Sequence, residues 1–191
     1  MCGRFARKST QEALADWFGV EPEDMPWFAP TYNAAPQSEQ PVVRLNRDTE
    51  SREVALARWG LVPFWAKDAK TGYSTINARA EEAAKKARLQ RGAEEAPVPG
   101  ACRRVLRVAA AGREDQAPLC HLPEERGALR VCRALGAMAA EGGEALETFT
   151  ILTTDPNKVM EPIHNRMPVI VEPRDYDRWL EPGDPARPPV A

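Results

Sequence analysis

Three short clusters in this chain combine residue types that could do chemistry. The first is Met1-Cys2-Gly3-Arg4-Phe5. Loss of Met1, which the small Cys2 side chain permits, would leave Cys2 with a free α-amine and a thiol on adjacent carbons. An α-amine with a reference pKa of about 7.7–8.0 is partly neutral near pH 7, and a thiol of about 8.5 keeps a reactive minority as thiolate. An aldehyde meeting that pair would condense with the amine to an imine and then close through sulfur to a thiazolidine ring. Taken alone, the same pentapeptide also reads as a chain that merely happens to carry Cys in second place.

The second cluster, Thr75-Ile76-Asn77-Ala78-Arg79-Ala80-Glu81, sets an amide, a guanidinium and a carboxylate on alternate residues. In a strand all three would project from one face. A lone Arg–Glu pair on a surface contributes little; with the amide beside it, a polar site is an equal reading. In the third cluster, Ile163-His164-Asn165-Arg166-Met167-Pro168, a His and a cation sit just ahead of the strand-like Val169-Ile170-Val171. His164 there is either a packed residue or a general acid/base. A fourth segment, Trp59-Gly60-Leu61-Val62-Pro63-Phe64-Trp65, predicts a rigid, flat-sided turn. It would serve as a corner of the core or as a platform for stacking a base.

The elements that must position these clusters are short. Ser9-Thr10-Gln11-Glu12 has capping-box spacing, and Leu14, Trp17 and Phe18 then recur at helical period, predicting one amphipathic helix. Pro22, Pro26, Pro30 and Pro36 exclude helix from the next passage and favour an ordered extended loop through Tyr32-Asn33. Alternation over Gln40 to Arg44, Arg52 to Arg58 and Glu147 to Thr153 predicts strands, and Asp175 to Leu180 a last helical turn.

Composition narrows the function classes. At 191 residues, with a net charge of −2 and a pI near 5.8, the molecule is no polycation, so nucleic-acid binding would need a local basic groove. No apolar run approaches the roughly 20 residues of a membrane span, and the start lacks the apolar core of a signal peptide; we expect a cytoplasmic protein without a membrane partner. Cys2, Cys102, Cys120 and Cys132 show no C-x-x-C spacing and have only His121 and His164 to join them, which argues against a metal site or a disulfide framework. No cofactor is called for, and nothing demands more than a monomer.

Taken in order, Met1-Cys2-Gly3-Arg4-Phe5, the Trp59 to Trp65 turn, Asn77-Ala78-Arg79-Ala80-Glu81 and His164-Asn165-Arg166-Met167-Pro168 resemble the SRAP family of abasic-site processing proteins. The likeness covers residues 1 to about 86 and about 143 to 191. It implies a single α+β domain, a distorted antiparallel β-barrel with flanking short helices, carrying a positively charged channel for single-stranded DNA. It also implies peptidase-like self-removal of Met1 and covalent capture of an abasic site by Cys2, first as a Schiff base and then as a thiazolidine. Asn77 would hydrogen-bond near the reacting centre and His164 would serve as general acid/base. Arg4, Arg79 and Arg166 would meet phosphates beside the lesion, with Trp59 and Trp65 as the stacking platform. Elimination from the Schiff base would give a lyase activity. Two alternatives stand beside this expectation: an N-terminal-nucleophile amidohydrolase, since glutamine amidotransferases also begin with Cys-Gly, and a catalytically impaired binder of single-stranded DNA.

The middle of the chain departs from the family. Residues 82 to 143 contain none of the thirteen Phe, Trp and Tyr residues but three of the four cysteines. The family carries here a strand in which a Glu follows Phe-Tyr, and this chain has no such Glu. Permitted codons for Val98 to Ala109, read one base later, can spell CLVPADGFYEW; Ala117 to Gly142 can likewise spell RPYVIYLKNGAPFAFAGLWERWRPKG. Both strings are typical of the family. A one-base slip near Ala87 and a compensating one near Gly143, by sequencing error or by mutation, explains the break, and the missing Glu would straddle the Arg107 and Val108 codons. Resequencing tests this: DNA that spells the family strand in no frame ends the idea. For the chain as written, an Ala/Arg-rich stretch should close a barrel poorly. We therefore expect residues 87–142 to be poorly ordered or weakly helical. The chain also stops at Ala191, ahead of the final segment the family usually carries.

Overall fold

Helix α1 (Gln11–Phe18) begins where the chain first offers a cap. The Thr10 hydroxyl accepts from the Ala13 N–H at 3.3 Å, so the cap is Thr10 and not Ser9, one residue later than the capping-box spacing suggests. Gly19 ends the helix with φ +62° and returns its N–H to Ala15 O, a left-handed cap that costs glycine little. Leu14, Ala15 and Phe18 are buried, with Trp17 partly so, which is the apolar stripe the sequence predicts.

The computed structural model describes residues 3–46, 48–63, 66, 68–83, 104–109, 129–139 and 145–180. A two-stranded ribbon pairs β1 (Phe5–Arg7) with β2 (Thr31–Ala34). The main sheet contains β3 (Glu39–Leu45), β4 (Arg52–Trp59), β5 (Asn77–Arg79), β6 (Arg104–Ala109), β7 (Leu129–Ala139), β8 (Ala145–Thr154) and β9 (Met167–Pro168). A short helix α2 (Ala80–Ala83) follows β5, and α3 (Tyr176–Leu180) closes the described chain.

The strands of the main sheet run β4-β3-β6-β7-β8-β5, with β9 beside β8. Most neighbours are antiparallel, but β5 lies parallel to β8. β4 also meets β8 in parallel at Arg58↔Thr148 and Trp59↔Phe149. That two-pair contact links the first strand of the path back to its penultimate one, short of a continuous closing ladder among the described residues. The architecture is a mixed sheet with a few short helices, of α+β character, and no closed barrel is found among the described residues.

Successive residues of a strand point to opposite faces, and the sheet is buried on both. Val43, Val54 and Leu152 pack with α1 and with Tyr176, Trp179 and Leu180 of α3. Val42, Ala57, Trp59, Phe149 and Ile151 form the second core, against Phe5 and Ile76. Across the strands, Arg44 of β3 ion-pairs with Glu53 of β4 and Glu147 of β8. Burial works against its charge, yet the hydrogen bonds that Arg44 donates to the two carboxylates more than offset this and leave its pKa raised.

Two strands, β6 and β7, fall within the stretch 87–142 that was expected to be poorly ordered or weakly helical. Residues 104–109 and 129–139 are extended and pair in register, Arg104↔Ala134 through Ala109↔Leu129, and β7 continues along β8 from Arg133↔Ile151 to Ala139↔Ala145. Val105, Leu106, Val108 and Val131 supply some β-favouring side chains, and neighbouring strands satisfy the backbone, a context that overrides composition. The rest of 87–142 lies outside the described residues.

Candidate active site

The first described residues are already tied to the sheet. Phe5 of β1 lays its ring 5.0 Å from that of Trp59, tilted by 49°. Trp59, at 0% exposure, donates its indole N–H to Ile76 O at 2.9 Å, one residue before Asn77. A single buried ring thus joins the strand that follows Cys2 to the start of β5. This corrects the sequence assignment of Trp59 as a base-stacking surface: both its apolar body and its polar edge are used inside the protein. Cys2 and Trp65 lie outside the described residues.

The turn after Trp59 is packed backbone to backbone. Gly60 has φ +129° and donates to Phe149 O at 2.8 Å. A Cβ there would stand 2.3 Å from Gly72 O and 2.4 Å from Gln37 Nε2. Val62 N–H donates to the buried Thr148 hydroxyl at 2.9 Å, and the Thr75 hydroxyl donates to Leu61 O at 2.5 Å. These bonds fix Thr75 and Ile76, and so the entry to β5.

Within β5, Asn77 is half-buried and stands beside Ile151 of β8, with Arg79 beside Thr153. Arg79 is exposed, its Nη1 lying 3.6 Å from Glu82 across one helical turn. The strand ends at Arg79, so Glu81 sits on α2, outside the alternation that the sequence suggests. It still reaches the third cluster: Glu81 Oε2 accepts from Arg166 Nη2 at 2.8 Å.

His164 and Arg166 are held by a turn and by the strand end. Asn157 Oδ1 accepts from the N–H groups of Val159 and Met160 at 3.1 and 3.0 Å, starting a turn whose Met160 carbonyl then accepts from His164 N–H at 2.9 Å. The Arg166 backbone N–H donates to His164 Nδ1 at 3.0 Å. An acceptor nitrogen carries no proton, so the neutral ring in this arrangement bears its hydrogen on Nε2. The Arg166 guanidinium donates to Asp155 Oδ1 at 2.7 Å, to Glu81 and to Thr153 O at 2.6 Å. The hydrogen bond from Arg166 holds the Glu81 carboxyl below its ordinary pKa, and the same bond raises that of Arg166. Arg166 therefore stands as an internal clamp and not as an uncommitted cation for phosphate. Sequence reasoning names Arg166 as a candidate but misses its partner Asp155, which lies just past the predicted Glu147 to Thr153 strand.

Sequence reasoning also misses a surface on the β1–β2 ribbon. Arg4 is exposed and donates from Nη1 to Asn33 Oδ1 at 3.1 Å. Tyr32, 70% exposed, has Lys8 Nζ 6.0 Å from its ring centre. Trp27, 76% exposed, is a further uncovered aromatic. The available signal was the Tyr32-Asn33 pair in a proline-fixed strand, which local propensity treats only as loop. By contrast Arg7, on the same β1, is buried, donates to Ser9 O and Ala29 O at 3.0 and 2.6 Å, and lies over the Phe28 ring; burial lowers its pKa to about 10.

Among the described residues no group of His, Cys, Asp and Glu side chains could hold a metal, and no helix is long and apolar enough to cross a membrane. The ribbon strand that carries Phe5, the strand that carries Asn77 and the turn that carries His164 thus meet around one sheet. The chain belongs to the SRAP family: the model of the SOS response associated peptidases matches residues 1–96 and 110–190. Its relatives include the abasic site processing protein YoqW of Bacillus subtilis, 33% identical over 95% of this chain and 81% of that one. The abasic site processing protein HMCES of Xenopus tropicalis is 29% identical over 96% of this chain and 67% of its own length. Two crystal structures share the fold at 19% identity: a protein of Bacteroides thetaiotaomicron with TM-score 0.70, covering 95% of this chain and 82% of that one, and a protein of Bordetella bronchiseptica with TM-score 0.72, covering 95% and 89%.

Proposed function

We propose that this protein processes abasic sites in single-stranded DNA by covalent capture through Cys2, after self-removal of Met1. The observation that carries the reading is the continuous path from Phe5 through Trp59 to Ile76 and Asn77, and across β8 to Arg166 and His164. Family membership and relatives named for abasic-site processing support it.

The chemistry balances with these groups alone. An abasic deoxyribose opens to an aldehyde when a general acid protonates the ring oxygen as the hydroxyl at C1′ loses its proton; His164, with its hydrogen on Nε2, takes the acid role and reverses it on release. The Cys2 amine adds to the carbonyl carbon and water leaves, giving the imine. The thiol sulfur then adds to the imine carbon and its proton passes to nitrogen, closing the thiazolidine with the net loss of one water. Asn77 hydrogen-bonds beside the reacting carbon. If sulfur does not close the ring, the imine acidifies the C2′ proton, elimination breaks the C3′–O bond and hydrolysis frees the amine, which is the lyase branch.

DNA is held by Arg4 and Arg79, both exposed, and by Tyr32, whose open ring with Lys8 beside it suits a flanking base and its phosphate. Tyr32→Ala should weaken binding of an intact single-stranded oligonucleotide by about tenfold, within the 1–3 kcal/mol of a base-aromatic stack. Fluorescence anisotropy at fixed salt checks this, and unchanged affinity removes Tyr32 from the interface.

The whole reading is tested by incubating the protein with single-stranded DNA carrying an abasic site and looking for an adduct that survives heating. Glutamine hydrolysis without an adduct would instead favour an N-terminal-nucleophile amidohydrolase. One observation favours a second reading, a single-stranded DNA binder with impaired chemistry: β6 carries Arg107 where the shifted reading spells the family's Glu. Binding that falls with salt, without an adduct, would mark that state.

A further inference from the structure

We propose that Glu81, together with Asp155, is a positioning residue for His164: the two carboxylates hold Arg166 so that its backbone N–H stays on His164 Nδ1, and the imidazole meets the sugar as its Nε2–H tautomer. This rests on the acid role given to His164 above.

The geometry has three anchors on one side chain. Arg166 Nη1 reaches Asp155, while Nη2 reaches Glu81 on α2 and Thr153 O on β8. Glu81 is itself braced by the Thr154 hydroxyl at 3.4 Å. The backbone just after Arg166 is pinned as well, because Met167 and Pro168 pair with Thr154 and Thr153. Between this strand and the Asn157 turn, the segment carrying His164 has both ends fixed, and the Arg166 N–H to Nδ1 bond is a link that orients the ring. A single guanidinium facing two carboxylates also carries no net attraction for phosphate, which separates this group from Arg4 and Arg79.

Opposite effects on binding and on chemistry follow. Glu81→Gln keeps the side-chain shape but removes a negative charge and loosens the guanidinium. Affinity for an intact single-stranded oligonucleotide should rise roughly two- to threefold at low salt, because a cation is released toward phosphate. The rate of adduct formation at saturating abasic DNA should fall by about tenfold or more, since a displaced catalytic group loses rate without losing binding. A side chain needed only for folding would lower both. Glu81→Gln combined with Asp155→Asn should enlarge both changes.

The tautomer itself can be read without any DNA. The chain has two histidines, His121 and His164, and a His121→Asn background leaves one imidazole for nitrogen-15 NMR. In its neutral form the parent imidazole should carry its hydrogen on Nε2 alone, and that of the Glu81→Gln, Asp155→Asn double variant should be a mixture of both tautomers. The same single tautomer in parent and double variant overturns the inference whatever the adduct assay gives. If the parent forms no adduct but the tautomer is released in the variant, the positioning role stands and the functional reading fails. An adduct rate unchanged by Glu81→Gln overturns the role with the functional reading intact.

Discussion

A Cys2→Ala protein should yield no heat-stable adduct with abasic single-stranded DNA, yet borohydride should still trap a reduced amine linkage. The two halves of the result follow from the two atoms. After Met1 is removed, alanine keeps the α-amine, so the imine still forms; without sulfur nothing closes the ring, and hydrolysis returns the aldehyde. Denaturing electrophoresis with and without reductant separates the steps. A heat-stable adduct in the variant would assign the capture to another nucleophile. Loss of both bands would mean that Met1 had been retained, which intact mass reads directly.

Gly60→Ala should be the most damaging single methyl group in the sheet. The new Cβ would stand 2.3 Å from a backbone oxygen, Gly72 O, so the clash cannot be relieved by turning a side chain. Its φ of +129° also lies where L residues are strained. Strain and overpacking together cost about 4 kcal/mol, which for a chain of this size lowers Tm by roughly 10 °C. Circular dichroism on heating measures it, and a change below about 2 °C would contradict the packing described for this turn. The same displacement would move Thr75 and Ile76, so adduct formation should fall in the folded fraction too.

Much of the site was legible because it is written in short, chemically dense words. The aminothiol at Cys2, the amide at Asn77 and the imidazole at His164 need only residue type and order to be noticed. What each polar group touches was not legible. Arg166 looks like a free cation in sequence, and only the fold brings Asp155, Thr153 O and Glu81 to it. Trp59 reads on its own residues as a corner of the core and only through the resemblance as a platform, and its 0% exposure agrees with the corner. The helix and the strands β3, β4 and β8 were legible from period and caps, whereas β6 and β7 were not, since their side chains follow neither period and their pairing comes from neighbours distant in sequence.

The strands β6 and β7 fall where the shifted reading places family strands. CLVPADGFYEW ends on β6 with its Glu at position 107, and the longer string sets another Glu at position 136, opposite Thr148 and in line with Arg58 across the β4–β8 contact. The Nε and Nη2 atoms of Arg58 are buried without a hydrogen-bond partner among the described residues, as expected of a guanidinium whose carboxylate is missing. Codon choice is also absent at one position. Met138 has a single codon and every Ala codon begins with G, so the shifted frame there reads TGG, tryptophan, as the family string requires.

The proposed capture depends on a nitrogen and a sulfur sharing the chain end that precedes Phe5, whose ring packs against Trp59. Intact-mass analysis after exposure to an oligonucleotide with one abasic site reports both events at once. The expected species is lighter by the Met1 residue and heavier by the oligonucleotide less one water. A protein that keeps Met1, or that stays unmodified even when residues 87–142 are restored to the shifted frame, would contradict it.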